Sequence, residues 1–81
     1  MKLMTLLRGF HAVARAGSIT GGARLAGVSQ PTLSAQLAEL ERHFQVELFY
    51  RRGRRVAITP LGMALRERTH RLFELEAEAL E

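Results

Sequence analysis

The chain has 81 residues, enough for one small domain with a single modest core and too few to enclose a sizeable cofactor. Twelve Lys and Arg oppose eight Glu, a net charge of +4, yet residues 1–73 hold all twelve basic groups and only four of the Glu, while residues 74–81 hold the other four. With no cysteine there is no disulfide, and neither an apolar run of about 18 residues nor a signal-peptide pattern is present, so a cytoplasmic protein without membrane contact or cofactor is expected.

In chain order, Leu3, Leu7, Phe10 and Ala14 share a face between Lys2 and Ala16, widened by Leu6 and Val13, which predicts a first helix ended by Gly17. Ser18 and Thr20 offer capping hydroxyls to a short second helix reaching about Ala26. Gly21 and Gly22 weaken that helix by about 1 kcal/mol each, and a close approach to the next helix or to a phosphate would give them a purpose. Gly27, Val28 and Ser29 form a bend, with Val28 plugging the angle. Two helices joined by a tight Gly-containing turn make a helix-turn-helix.

The third helix, SQPTLSAQLAELE from Ser29 to Glu41, is the centre of the reading. Ser29 is a suitable N-cap, and Pro31 sacrifices no needed N–H in a first turn. Leu33, Leu37, Leu40 and Phe44 form one buried stripe at helical spacing. Pro31, Thr32, Ala35 and Ala38 point the other way, flanked by Gln30, Ser34 and Gln36. That slim amide- and hydroxyl-bearing face fits a DNA major groove, about 12 Å wide, where Gln, Ser and Thr can bond base edges or phosphates. Glu39 and Glu41 would repel phosphates, so the N-terminal half leads. The alternative is a face that is merely solvated.

Beyond Phe44 the period becomes extended. Leu48 to Arg51 and Arg55 to Ile58 predict a hairpin tipped by Arg52-Gly53-Arg54, anchored by Leu48, Phe49, Val56 and Ile58. Arg51, Arg52, Arg54 and Arg55 repel one another unless an anion lies near. Arg51, at the strand end, is the most structural of the four, bonding carbonyls or a Glu. Thr59-Pro60 caps a last helix running from Pro60 to the end. On it Leu61, Leu65, Leu72, Leu75 and Ala79 follow a heptad-like seam that a three-helix core does not absorb, which points to a homodimer through this helix. In an antiparallel pair the acidic tail from Glu74 to Glu81 would approach Arg66, Arg68 and Arg71 of the other copy.

Taken together, F10-x-x-V13-A14, G17-S18-x-T20, A23, V28-S29-Q30-P31-x-L33-S34-x-Q36, L40-E41, L48-F49-x-R51 and T59-x-x-G62 resemble the N-terminal DNA-binding domain of LysR-type bacterial transcriptional regulators over nearly the whole chain. The resemblance implies a mainly α fold: a winged helix-turn-helix of three helices and a two-stranded β wing over residues 1–59, then a linker helix for dimerisation over residues 60–81. It implies sequence-specific binding of double-stranded DNA. Gln30, Pro31, Thr32 and Ser34 then occupy the contacting start of the recognition helix, Arg54 a wing position able to reach the minor groove, and Ser18 and Thr20 the DNA backbone. Ser29, Gln36, Arg52 and Arg55 complete the candidate set. The ligand-sensing domain that family members carry after the linker helix is not in these residues.

Departures from the family pattern are Ala35 for a frequent Arg, Gly22 and Ala26 for Ala and Leu, and Phe44-Gln45 for Leu-Gly, implying a looser second helix and a looser turn before the wing. Catalysis is opposed by the absence of Asp and Cys and by the wide sequence spacing of His11, His43 and His70. The rival function is a helical dimerisation or protein-interaction module with a basic face. It leaves the slim polar face of the third helix without a purpose. Another DNA-binding family of the same winged fold is disfavoured by the motif spacing.

Overall fold

The computed structural model describes residues 2–53 and 55–81. Its elements run α1 (Lys2–Ala16), α2 (Ile19–Ala26), α3 (Gln30–Phe44), β1 (Phe49–Arg52), β2 (Arg55–Ile58) and α4 (Pro60–Ala79). Leu6, Phe10 and Val13 from α1, Ala23 from α2, Leu33, Leu37 and Leu40 from α3, and Leu48 and Phe49 at the hairpin base form one core. The buried line of α1 is therefore centred on Leu6, Phe10 and Val13, whereas Leu3 is exposed and Leu7 and Ala14 are half-buried at its margin. Each of the last three helices starts on a hydroxyl cap: Ser18, Ser29 and Thr59 accept from the N–H groups of Gly21, Thr32 and Gly62. Such caps satisfy donors that a helix start leaves orphaned.

Gly27 adopts φ 71° and ψ 31°, closing α2 with a left-handed residue, and Val28 packs half-buried against the core as the turn requires. The expectation for Gly22 needs correction. A Cβ there would lie 2.9 Å from Val13 Cγ2 and 3.0 Å from Val13 Cα, so the nearest surface that this glycine accommodates is α1, where the expectation named the next helix or a phosphate. The expectation for Phe44 is also overturned. Phe44 is 44% exposed, because α3 ends there and the chain turns away through Gln45 in the left-handed region (φ 56°). A non-glycine residue in that conformation costs about 1–2 kcal/mol.

The hairpin is shifted one residue from the expected strand: Phe49 pairs with Ile58 and Arg52 with Arg55. Leu48 stays outside because its N–H is taken by the Glu41 carboxylate. The anchoring expectation holds, with Leu48 and Phe49 buried, Val56 and Ile58 half-buried, and the Phe49 ring 5.4 Å from that of Phe10. Arg51 donates to Glu41 at 3.4 Å, the structural role expected of it.

Helix α4 begins against the hairpin base and then lies along α1. Leu65 and Leu72 are half-buried, and Leu65 packs on the core, so the expectation that neither has a place within the subunit is corrected for Leu65. The helix ends at Ala79, just short of the terminus. His11 and His70, distant in sequence, come together with ring centroids 6.4 Å apart, so their wide sequence spacing does not keep these two apart in the fold. Among the described residues no group of three or more His, Cys, Asp or Glu is arranged to hold a metal, and no helix is long and apolar enough to cross a membrane.

Candidate nucleic-acid interface

The α3 helix divides its sides sharply. Leu33, Leu37 and Leu40 are wholly buried, while Gln30, Pro31, Thr32, Ser34 and Ala35 are exposed. An apolar row at i, i+4 and i+7 fixes the rotation of the helix on the core, and that rotation turns the small polar residues outward. Gln36 behaves differently from its neighbours. It is half-buried, and its amide oxygen lies 3.1 Å from where a Cβ on Gly9 would sit, so it faces α1 as much as solvent.

Two hydroxyls at the helix start are partly committed. Ser29 Oγ accepts from Thr32 N–H at 3.2 Å and donates to Thr32 Oγ1 at 2.9 Å. The Ser29 proton is thereby used within the helix, and the Thr32 hydroxyl proton remains free to donate. Ser18 Oγ accepts from Gly21 N–H at 3.0 Å and likewise keeps its own proton. Among the described residues, Gln30, Thr32 and Ser34 on α3, with the Ser18 hydroxyl at the start of α2, are free to donate to an incoming base or phosphate.

Three separated segments converge around this face. Ile19, Thr20, Gln30, Ser34 and Gly53 line one concave, largely polar surface, and Ser18 forms an antiparallel bridge with Arg55. The bridge ties the start of α2 to the hairpin, which brings Thr20 and the recognition-helix start beside the hairpin tip. Arg52 and Arg55 are exposed there; Arg54 lies outside the described residues. Sequence reasoning missed Ile19 and Gly53 as lining residues. Ile19, flanked by the two singled-out hydroxyls, could have been found from its position, whereas Gly53 is brought in by the tip geometry (φ 61°).

Charge reinforces the shape. The basic hairpin stands beside the polar face, and the C-terminal acidic run lies at the far end of α4. A cationic protrusion next to a slim helix face offers phosphate contacts and base-edge contacts to one duplex.

Comparison with known proteins agrees with this arrangement. Residues 4–63 match the model of the family described as bacterial regulatory helix-turn-helix protein, lysR family. The chain is 42% identical over 69 residues to the HTH-type transcriptional regulator TfdS of Cupriavidus pinatubonensis (85% of this chain, 23% of that protein). It is 38% identical over 81 residues to the HTH-type transcriptional regulator BlaA of Streptomyces cacaoi (100% of this chain, 24% of that protein). The chain thus spans about a quarter of the length of these relatives. Among solved structures it is similar to the CbnR DNA-binding domain in complex with DNA, with 35% identity, a TM-score of 0.83, and coverage of 91% of this chain and 85% of that one. It is also similar to the BenM DNA-binding domain bound to the catB site 1 DNA, with 31% identity, a TM-score of 0.86, and coverage of 93% and 84%.

Proposed function

The chain belongs to the LysR family of bacterial regulatory helix-turn-helix proteins, and on that premise we propose that it binds double-stranded DNA sequence-specifically as the DNA-reading part of a cytoplasmic transcriptional regulator. The observation that carries the reading is the exposed face of Gln30, Thr32 and Ser34 set beside an arginine-bearing wing. Residues 1–59 form the reading unit. Gln30 and Thr32 act on base edges from the major groove, Pro31 shapes the helix start, and Ser34 together with Ser18 and Thr20 bonds phosphate. Arg52 and Arg55 supply phosphate contacts from the wing, and Arg54, by family resemblance, extends them toward the minor groove. Ser29 serves chiefly as the cap, and Gln36 contributes least because it turns toward α1.

Residues 60–81 carry dimerisation. Leu61 is 56% and Leu75 61% exposed, and Leu61 and Leu65 share an open apolar groove with Phe44, Val46 and Leu48. A second copy of α4 laid across that groove would cover them, each buried Leu contributing roughly 1.5–3 kcal/mol against the entropy of association. Leu72, half-buried already, adds less. Glu76 pairs with Arg8 of its own chain, so an antiparallel partner's arginines would meet chiefly Glu74, Glu78 and Glu81. A two-fold pair presents two recognition helices to half-sites separated by whole turns of the duplex, about 34–36 Å or a multiple.

Titration of the chain against mixed-sequence duplex DNA over a salt series tests the DNA reading. Binding should weaken steeply, with log K falling by about 0.9 per unit of log salt for each phosphate neutralised. A flat response would instead favour a protein-interaction module.

A further inference from the structure

Three functional elements meet at one residue, Leu48. The Leu48 N–H donates to Glu41 Oε2 at 2.7 Å, and the Leu48 carbonyl accepts from the Thr59 N–H at 3.0 Å. Glu41 lies in the last turn of α3, Thr59 is the N-cap of α4, and Leu48 leads directly into β1. The same carboxylate oxygen also accepts from the Phe49 N–H at 3.3 Å, and Oε1 accepts from Arg51 Nη2 at 3.4 Å. The Glu41 side chain is only 17% exposed. A charged acceptor strengthens each of these bonds, and its removal would strand backbone donors at the hairpin base.

We propose that Glu41 is a positioning residue for DNA binding: by holding the Leu48 and Phe49 amides it fixes the wing against the recognition helix, so that Arg52 and Arg55 reach the backbone of the duplex whose groove α3 enters. The proposal rests on the DNA-facing reading of the wing given above. Glu41 does not itself touch DNA, since a carboxylate on that face would repel phosphate. Its work is mechanical. A two-stranded hairpin is marginal alone and takes its direction from its anchors, and the Glu41 carboxylate ties it directly to the helix that reads bases.

The sign of the effect separates this role from simple electrostatics. Glu41→Gln keeps the side-chain shape but removes a negative charge, and on charge alone it would tighten binding to a polyanion. Positioning predicts the opposite: weaker binding to mixed-sequence duplex DNA, with a salt slope shallower by about 0.9 for each phosphate that the wing no longer neutralises. It also predicts non-additivity in a double-mutant cycle. Once Arg52→Ala and Arg55→Ala are in place, Glu41→Gln should weaken binding no further. Tighter binding by Glu41→Gln, or a full additive loss in the arginine-free background, overturns the proposal. If the arginine variant alone changes neither affinity nor slope, the wing reading itself fails. If the arginines matter and Glu41→Gln changes nothing, only the positioning role fails. Circular dichroism establishes that the variants compared are folded. Should Glu41→Gln not fold, Glu41→Asp, which keeps the charge and shortens the reach, enters the same cycle with the same two outcomes.

Discussion

The two halves of α4 are attached by different chemistry. At its start Thr59 Oγ1 donates to the Glu47 carbonyl at 2.7 Å and accepts from the Gly62 N–H at 3.0 Å, and Gly62 is buried so tightly that a Cβ would collide with the Leu48 carbonyl oxygen. Further along, the hold on α1 is polar and aromatic. Arg8 pairs with Glu76 and stacks 4.8 Å over Phe73, and His11 Nδ1 lies 2.9 Å from Thr69 Oγ1. A start locked by backbone and close packing should move with the DNA-reading unit, whereas a second half held by charges and an imidazole should respond to pH and salt.

The largest effect should come from Gly62→Ala. Its Cβ has nowhere to go without moving backbone, and we expect a loss of about 2–4 kcal/mol in urea unfolding. A loss below about 1 kcal/mol would show that the start of α4 is not rigidly seated. Thr59→Val removes the cap and the bond to Glu47 together and should cost about 1–2 kcal/mol, read from the same unfolding curves.

In the second half the lever is His11. The Thr69 hydroxyl also donates to the Arg66 carbonyl at 3.1 Å, so it accepts from His11 Nδ1–H and leaves Nε2 as the nitrogen that titrates. Burial first, then the charges of Arg15 and His70, hold the His11 pKa below the usual imidazole value; Arg66, Glu67 and Glu74 line the same cleft. A depressed folded-state pKa means that neutral His11 contributes stability in full above the unfolded value of about 6.5. That contribution is lost as the pH falls through the lowered folded value. Unfolding free energy measured at a series of pH values should therefore decline on acidification, and His11→Gln should decline less. Equal declines would assign the pH response elsewhere. The smallest effect belongs to Glu76→Gln, a partly exposed pair with Arg8, which should cost less than about 1 kcal/mol and vanish in high salt.

What can be read in the sequence divides along the same line. Ser18, Ser29 and Thr59 are recognisable as caps because a cap involves only residues three apart. The α3 face is legible because Leu33, Leu37 and Leu40 repeat at helical spacing. The reason for Gly62 is not legible, since it depends on the carbonyl of Leu48. Gly22 points to the wrong neighbour because only the packing angle of α2 on α1 reveals Val13 beneath it. Glu41 reads as a charge to be kept from phosphate, while its bonds at the hairpin base arise from residues seven and eight positions on that reach it only through a left-handed turn at Gln45. His11 and His70 meet because α4 folds back along α1, which no local pattern encodes.

The central claim is that the start of α3 reads base edges. Duplexes selected from a randomised pool by the wild-type chain, then bound by wild type and Gln30→Ala beside a scrambled control, test it directly. Gln30→Ala should lose about 1–3 kcal/mol on the selected duplex and almost nothing on the scrambled one. An equal loss on both duplexes, or a pool that yields no preferred sequence, would contradict it.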